Sequence, residues 1–521
     1  MNRNRESPNL FHNWLELLAR DYGERLAVTC DEDALCYSEL VQASRGCALK
    51  LRRQGLQKGD RVILSAVNGV DWIVSFFGIL LAGGVAASAN YRLNREDTIT
   101  ITRLVGAGWA ILGPEDAYAE QRAAQALCDG GIPANRILSC RELYSDALKT
   151  SVDESELRLL TEGISPRDTQ VILFTSGSTA IPKAVALSSE AILTNTYGLV
   201  ELIANDVGKN GCPPLPLFHA FGMIVMMLLF DVGAVLCLTR ELTPQAVLEQ
   251  IDKRHADTLF SVGTIYRMLI ELPEFHEKGK GKIKSCIWSA SGMTPADMER
   301  LQQCLGGAQI LPCYGLSECA AAVSISESGI PPERRAVTVG RPLPNLDVRI
   351  WSENRGFLPQ GELGEIIIHG PCLMNGYFGL PTEEQPIDKN GWLHTGDLGL
   401  ITEDGLLQLR GRLKTLIKRA GENIAPAEIE EALLEESSIC DAKVIGLEHP
   451  ILGESVEACV VLRDGELNEQ RLRAFLRKRL SPFKVPSHIL AFPAFPLNTN
   501  GKVDQLRLKE LVAERLREQG E

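Results

Sequence analysis

The chain has 521 residues, more than one core usually organises, so at least two domains are expected, and a hydrophobic content of 45% is ample to fill them. The formal net charge of −13 argues against a general nucleic-acid binder and gives no support for an anionic-membrane partner. The 14 cysteines form no C-x-x-C pair of the kind that holds zinc. The N-terminal stretch MNRNRESPNLFHNWLELLAR has no apolar signal core, so the thiols are expected to be reduced, in a cytoplasm.

Along the chain, RVILSA at 61–66 reads as a strand. The uncharged segment at 72–89, WIVSFFGILLAGGVAASA, just reaches the lower length for a membrane span. Gly83-Gly84 divides it, and a buried helix followed by a buried strand is expected instead. Val171-Ile172-Leu173-Phe174 is another apolar run. Such runs alternate with helical patterns through most of the chain, the rhythm of α/β architecture with largely parallel sheets. Directly after comes Thr175-Ser176-Gly177-Ser178-Thr179, which cannot pack a core. A strand ending this way offers backbone N–H groups and hydroxyls to one point in space, a nest for phosphate oxygens, and Lys183 adds a positive charge. The nucleotide P-loop pattern fails here, because Pro182 precedes the lysine and Ala184 follows it. A Ser/Thr-rich surface turn is the plain alternative.

Around 348–376 the pattern changes. DVRIW, GELGEIIIHG and, later, GLLQLRG read as strands joined by Gly-rich turns, an antiparallel or barrel-like unit. After Gly411 it changes again. Pro426 opens a helix with Ile429, Ala432 and Leu433 on one face, strands follow around 442–446 and 456–462, and a second helix carries Leu472, Phe475, Leu476 and Leu480. Strand-like LLQLR is expected to end at Arg410, so the expected division is 1–410 and a compact α+β domain at 411–521, with the boundary in the charged segment Arg410-Gly411-Arg412-Leu413-Lys414.

The segment at 175–184 resembles the phosphate loop of the adenylate-forming superfamily, which includes acyl-CoA synthetases, luciferases and peptide-synthetase adenylation domains. The family pattern is roughly T-S-G-(S/T)-T-G-x-P-K-G, from which this chain departs at Ala180 and Ala184. Further matches follow in the family's order. CYGLSE at 313–318 looks like Y-G-x-(S/T)-E, and GWLHTGD at 391–397 looks like G-W-x-x-T-G-D. GRLKTLIK at 411–418, with Gly421 and NIAPAEIE at 423–430, is similar to the hinge motif. NTNGK at 498–502 is similar to the C-terminal catalytic-lysine loop. The resemblance covers nearly the whole chain. It implies a large N-terminal AMP-binding domain of α/β sheet subdomains plus a β-barrel-like unit, followed by a small mobile α+β lid that turns near Lys414.

The resemblance also implies chemistry. A carboxylic acid and ATP give acyl-AMP and pyrophosphate, and an acceptor then displaces AMP. Thr175, Ser176, Gly177, Ser178, Thr179 and Lys183, with Gly292, Tyr314 and Ser317, are the implied nucleotide-binding residues. Glu318 is the implied magnesium carboxylate, in keeping with the preference of Mg2+ for hard oxygens beside substrate phosphates. Asp397 suits both ribose hydroxyls as an acceptor, and Arg412 is expected to contact the ribose. Lys502 is expected to enter during adenylation and bridge the carboxylate and the 5′ oxygen. Lys414 matches the hinge, and Lys418 with Gly421 the face that turns inward for the second step.

LPLFHAFG at 215–222 resembles the P-L-(F/Y)-H-x-x-G segment of acyl- and aryl-acid ligases. Amino-acid-activating domains carry an aspartate in this region, and burying an unpaired ammonium is costly, so an acid without an α-amino group is expected. His219 either gates or lines the acid tunnel or is a satisfied core histidine. The small residues at 289–292 and 319–322 leave room in the pocket without separating aromatic, cyclic and fatty acids. Expected cofactors are ATP and Mg2+. The first-choice acceptor is CoA, with a carrier-protein pantetheine or an amine as alternatives, and neither nucleic acid nor a membrane span is expected. A reading of another class is an inactive relative that senses acyl adenylate. The joint presence of Lys183, Glu318, Asp397, Arg412 and Lys502 favours the ligase.

Overall fold

In the computed structural model, residues 8–113, 116–175, 182–289, 293–419, 422–450, 452–463, 465–497 and 503–519 are described. The uncharged segment at 72–89 folds into the helix Val70–Leu81 and the strand Val85–Ser88, both buried along their whole length. Gly83, at φ +76°, makes the left-handed turn between them. Inside the helix, a Cβ on Gly78 would lie 2.3 Å from Cys47 Sγ, so glycine is what lets the helix Tyr37–Arg53 approach. Among the described residues no helix is long and apolar enough to cross a membrane.

The chain forms two compact units, Met1–Val348 with Ile368–Leu393, and Arg349–Ile367 with His394–Glu521. The first holds two sheets. One runs Gly376–Tyr377, Lys183–Ser188, Thr169–Thr175, Val85–Ser88, Arg61–Ala66, Trp109–Gly113 and Ile137–Ser139. It is parallel from Thr169–Thr175 onward and antiparallel at the Lys183–Ser188 edge. The other runs Arg341–Pro342, Ala321–Ile325, Gln309–Leu316, Ser285–Ser289, Thr258–Val262, Asn210–Cys212, Val235–Cys237, Leu26–Cys30 and Asp33–Cys36, parallel except at its two ends. Central strands such as Val85–Ser88 bury both faces, as helix-covered parallel sheets require. The α/β rhythm in the sequence is thus the architecture observed.

A sheet with most of its residues in the second unit runs Gly356–Leu358, Asp347–Ser352, Gly364–His369, Leu393–Ile401 and Leu407–Arg412. The strand expected to stop at Arg410 continues to Arg412, because Gly411 and Arg412 pair with Leu398 and Asp397. Gly411 adopts φ +137° there, which favours glycine. The expected boundary between 410 and 411 therefore falls inside a strand. Beyond it, the strands Glu422–Ile424, Ile417–Arg419, Gly453–Leu462 and Ile439–His449 form a further sheet, with His488–Ala491 parallel to Gly453–Leu462. The helix Pro426–Leu434 buries Ile429, Ala432 and Leu433 against Val456, Ala458, Leu472 and Leu476, as its spacing predicts. The second helix, Glu469–Arg477, ends before Leu480, and Pro482 follows.

Candidate active site

The Ser/Thr-rich stretch connects two antiparallel strands whose last ladder pair is Thr175 with Lys183, both half-buried. Ser176, Gly177, Ser178 and Thr179 lie outside the described residues, as do Gly292, Gly421 and Lys502. The Lys183 ammonium stands 4.3 Å from the centre of the Tyr377 ring. Tyr377 comes from the neighbouring edge strand, paired with Val185. Its hydroxyl donates to Glu318 Oε1 at 2.6 Å. Burial, and next the Glu318 charge, push the phenol pKa up, so the tyrosine stays the donor and Glu318 the acceptor. Lys183 and Glu318 make no ion pair with each other.

Glu318 sits in a one-turn 3-10 helix, Ser317–Cys319, between the strands Gln309–Leu316 and Ala321–Ile325. Tyr314 is buried and Ser317 half-buried. The turn is strained, with Ala320 at φ +52° and Ala321 at φ +107°, values rare for residues with a Cβ. Across the ladder, a Cβ on Gly315 would lie 1.6 Å from the Ala321 carbonyl oxygen, so the two backbones meet where only glycine fits. The fully buried Asn195 fixes the turn. Its amide donates to Cys319 O at 3.0 Å and Ala322 O at 2.7 Å, and accepts from Ala322 N at 3.2 Å. Cys319, Ala320, Ala321 and Ala322 are all buried.

At 215–222 the chain is pinned by Asn68, which donates to Leu215 O at 2.8 Å and accepts from Leu217 N at 3.0 Å. Gly222 allows the next helix to fold back, since a Cβ there would lie 2.1 Å from Pro216 O. His219 is the N-cap residue of that helix, Ala220–Asp231, and is half-buried. Its ring lies 4.7 Å from Phe218, which meets Tyr91 edge-on at 6.1 Å. No carboxylate occurs between 215 and 222.

In the second unit, Asp397 is 5% exposed and pairs with Arg412, Nε to Oδ1 at 2.7 Å, directly across the ladder. The strand segment that presents Asp397 is held by further hydrogen bonds. Thr395 donates to Ile366 O at 2.6 Å and accepts from Asp397 N at 3.0 Å. Glu365, 8% exposed, accepts from Gly396 N at 2.9 Å and lies 2.8 Å from His394 Nδ1. Lys414 is exposed in the turn Leu413–Thr415, and Lys418 is exposed on Ile417–Arg419, its backbone N–H donating to Glu454. Tyr377, Asn195 and Glu365 were not anticipated from sequence. Glu365 had a signal, an acid inside the apolar run GEIIIH. Tyr377 and Asn195 had none.

Among the described residues, no group of three or more His, Cys, Asp or Glu side chains could enclose a metal. The half-buried Glu318 carboxylate offers the single hard-oxygen protein ligand that suits Mg2+ where substrate phosphates supply the others.

Residues 15–378 match the family described as AMP-binding enzyme, and residues 428–502 match the AMP-binding enzyme C-terminal domain. The chain is similar to the long-chain-fatty-acid–CoA ligase of Bacillus subtilis (strain 168), with 31% identity over 94% of this chain and 92% of that protein. Among solved structures it is similar to ATP-bound MatB from Rhodopseudomonas palustris, with a TM-score of 0.85 and 25% identity over 95% of this chain and 98% of that one. It is likewise similar to the amide bond synthetase McbA from Marinactinospora thermotolerans, with a TM-score of 0.83 and 26% identity over 97% and 100% of the two chains.

Proposed function

Because the chain belongs to the AMP-binding enzyme family, we propose that its acid–thiol ligase reaction runs from a carboxylic acid without an α-amino group to CoA. The acid's carboxylate attacks the α-phosphorus of ATP and pyrophosphate leaves. The acceptor then attacks the acyl carbonyl of acyl-AMP and AMP leaves. The observation that carries the reading is the placement of Lys183 and Glu318. A cation and a carboxylate stand on one tyrosine, with the cation in the last ladder pair, Thr175 with Lys183, and without cancelling one another. Such preorganised charge serves a step in which two anions must meet.

Lys183 holds the phosphate tail, and Glu318 supplies the protein carboxylate for Mg2+, which when bound offsets phosphate charge. Asp397 accepts from the ribose hydroxyls with Arg412 beside it, and Tyr314 and Ser317 border the nucleotide. Lys502 bridges the reacting carboxylate and the 5′ oxygen. The small domain then turns about Lys414 to bring the face of Lys418 and Gly421 inward for acyl transfer. Phe218 and His219 line the path of the acid. The cysteines, all free, support a cytoplasmic setting.

The test is a panel of carboxylic acids with ATP, scored for pyrophosphate release without acceptor and then with CoA or amines. Aryl or alkyl acids should outperform α-amino acids, and CoA should yield thioester. A standard amino acid that drives ATP–pyrophosphate exchange better than every other acid would overturn the reading of 215–222. Amide formation is the second reading, supported by the similarity to McbA, and would appear as product only with an amine.

A further inference from the structure

Tyr377 is set with unusual firmness for a residue near the end of a sheet edge. Its backbone N–H donates to Gln385 Oε1 at 2.6 Å, and its carbonyl accepts from Gln385 Nε2 at 3.0 Å. Only 7% of it is exposed. Its two ends touch two opposite charges, the hydroxyl Glu318 and the ring face Lys183. An ammonium and a carboxylate in a half-buried site attract one another strongly, and direct pairing would withhold the lysine from phosphate and the carboxylate from metal. The tyrosine satisfies each separately, with a hydrogen bond to the anion and a π-face to the cation.

We propose that Tyr377 is a positioning residue for adenylation, which keeps Lys183 and Glu318 apart and presents both to the magnesium–nucleotide. This rests on the reading of Lys183 and Glu318 as nucleotide-side groups, and the test separates the two. Tyr377→Phe keeps the ring beside Lys183 and deletes the hydroxyl that aims Glu318. Tyr377→Leu deletes both. ATP binding is measured by calorimetry on the full chain, in EDTA and over a series of Mg2+ concentrations, with thermal unfolding as the check on folding.

For Tyr377→Phe, ATP affinity in EDTA should be unchanged, while the Mg2+ concentration for half-maximal enhancement of binding rises about tenfold, the scale of one lost hydrogen bond to a charged group. In Tyr377→Leu, ATP affinity in EDTA should also fall, because Lys183 turns onto Glu318. In steady state the loss should lie in kcat/KM for ATP, with KM for the acid unmoved. A purely structural tyrosine would shift all ligands together. Glu318→Gln and Lys183→Ala report on the underlying reading. If they weaken Mg–ATP binding while Tyr377→Phe matches wild type at every Mg2+ concentration, the proposal is overturned and the reading stands. If they too bind like wild type, the reading itself fails, and the proposal with it. Should Tyr377→Leu not fold, Tyr377→Phe alone decides.

Discussion

Glu318 and Asp397 are both acids in short motifs, one in each unit, and they are held in opposite ways. Asp397 is fixed within its own sheet, by its own segment and the strands beside it. Thr395, two residues before it, takes its N–H, and Arg412 faces it across the adjoining strand. Glu318 depends on remote residues. Its hydrogen bond comes from Tyr377, 59 positions away, and its turn is fixed by Asn195, whose bond to Cys319 spans 124 positions. A motif of the first kind takes its geometry from itself and the strands directly beside it. A motif of the second kind supplies only the chemical group, and the fold supplies the aim. The strain at Ala320 and Ala321 follows from this: the Glu318 turn is held in a conformation that its own residues disfavour.

The largest expected effect lies in neither motif. Lys502→Ala should slow acyl-AMP formation about a hundredfold, the roughly 3 kcal/mol typical of losing one contact to developing charge. Supplied acyl-AMP should still reach product at near-normal rate. Single-turnover assays of the two half-reactions check this, and unchanged adenylation would remove Lys502 from that step.

Asn195→Ala bears on the comparison itself. It deletes three hydrogen bonds at a buried, strained turn, with an expected loss of about 2–3 kcal/mol in denaturant unfolding and a fall in adenylation beyond what instability explains. Glu365→Ala is its counterpart. It strips the support from Gly396 and His394, but both hydrogen bonds of Thr395 remain, so about 1–2 kcal/mol is expected, with ATP affinity only slightly reduced. If Glu365→Ala damages nucleotide binding more than Asn195→Ala does, the contrast between local and remote support is wrong.

The same contrast explains what could be read in advance. The apolar runs and the helix faces at 426–434 and 469–477 are legible, because hydrophobic period is a local property, and the motif acids are legible as residues while their roles stay proposals. Leu480 was misplaced in a helix, since its spacing fits one and the stop at Pro482 competes with that signal. The end of the strand at Arg412 instead of Arg410 was hidden because ladder pairing with Asp397 decides it, not composition. Tyr377 could not be identified as part of the site. A lone tyrosine after glycine reads the same whether it fills a core or aims a carboxylate, and only the pairing of Tyr377 with Val185 brings it to Lys183 and Glu318.

The smallest expected effect on stability is that of Arg412→Ala, and it sharpens the comparison most directly. The Arg412 side chain is 69% exposed although Asp397 is only 7% exposed. Pairs with an exposed partner are worth about 0–1 kcal/mol, because water and side-chain entropy oppose them, so unfolding should move by less than about 1 kcal/mol. Salt gives an independent check. At about 1 M ionic strength the screening length falls to about 3 Å, and the stability difference between wild type and Arg412→Ala should fade. The Tyr377 hydroxyl is a neutral donor to a half-buried carboxylate, so the difference between wild type and Tyr377→Phe should persist in the same salt. Nucleotide binding should behave differently from stability. If Arg412 serves the ribose, ATP affinity at low salt should drop about tenfold, more than the stability change implies. A large loss of stability with unchanged ATP affinity would make the Arg412–Asp397 pair a strut of the sheet, and Asp397 would then owe its place to the ladder alone.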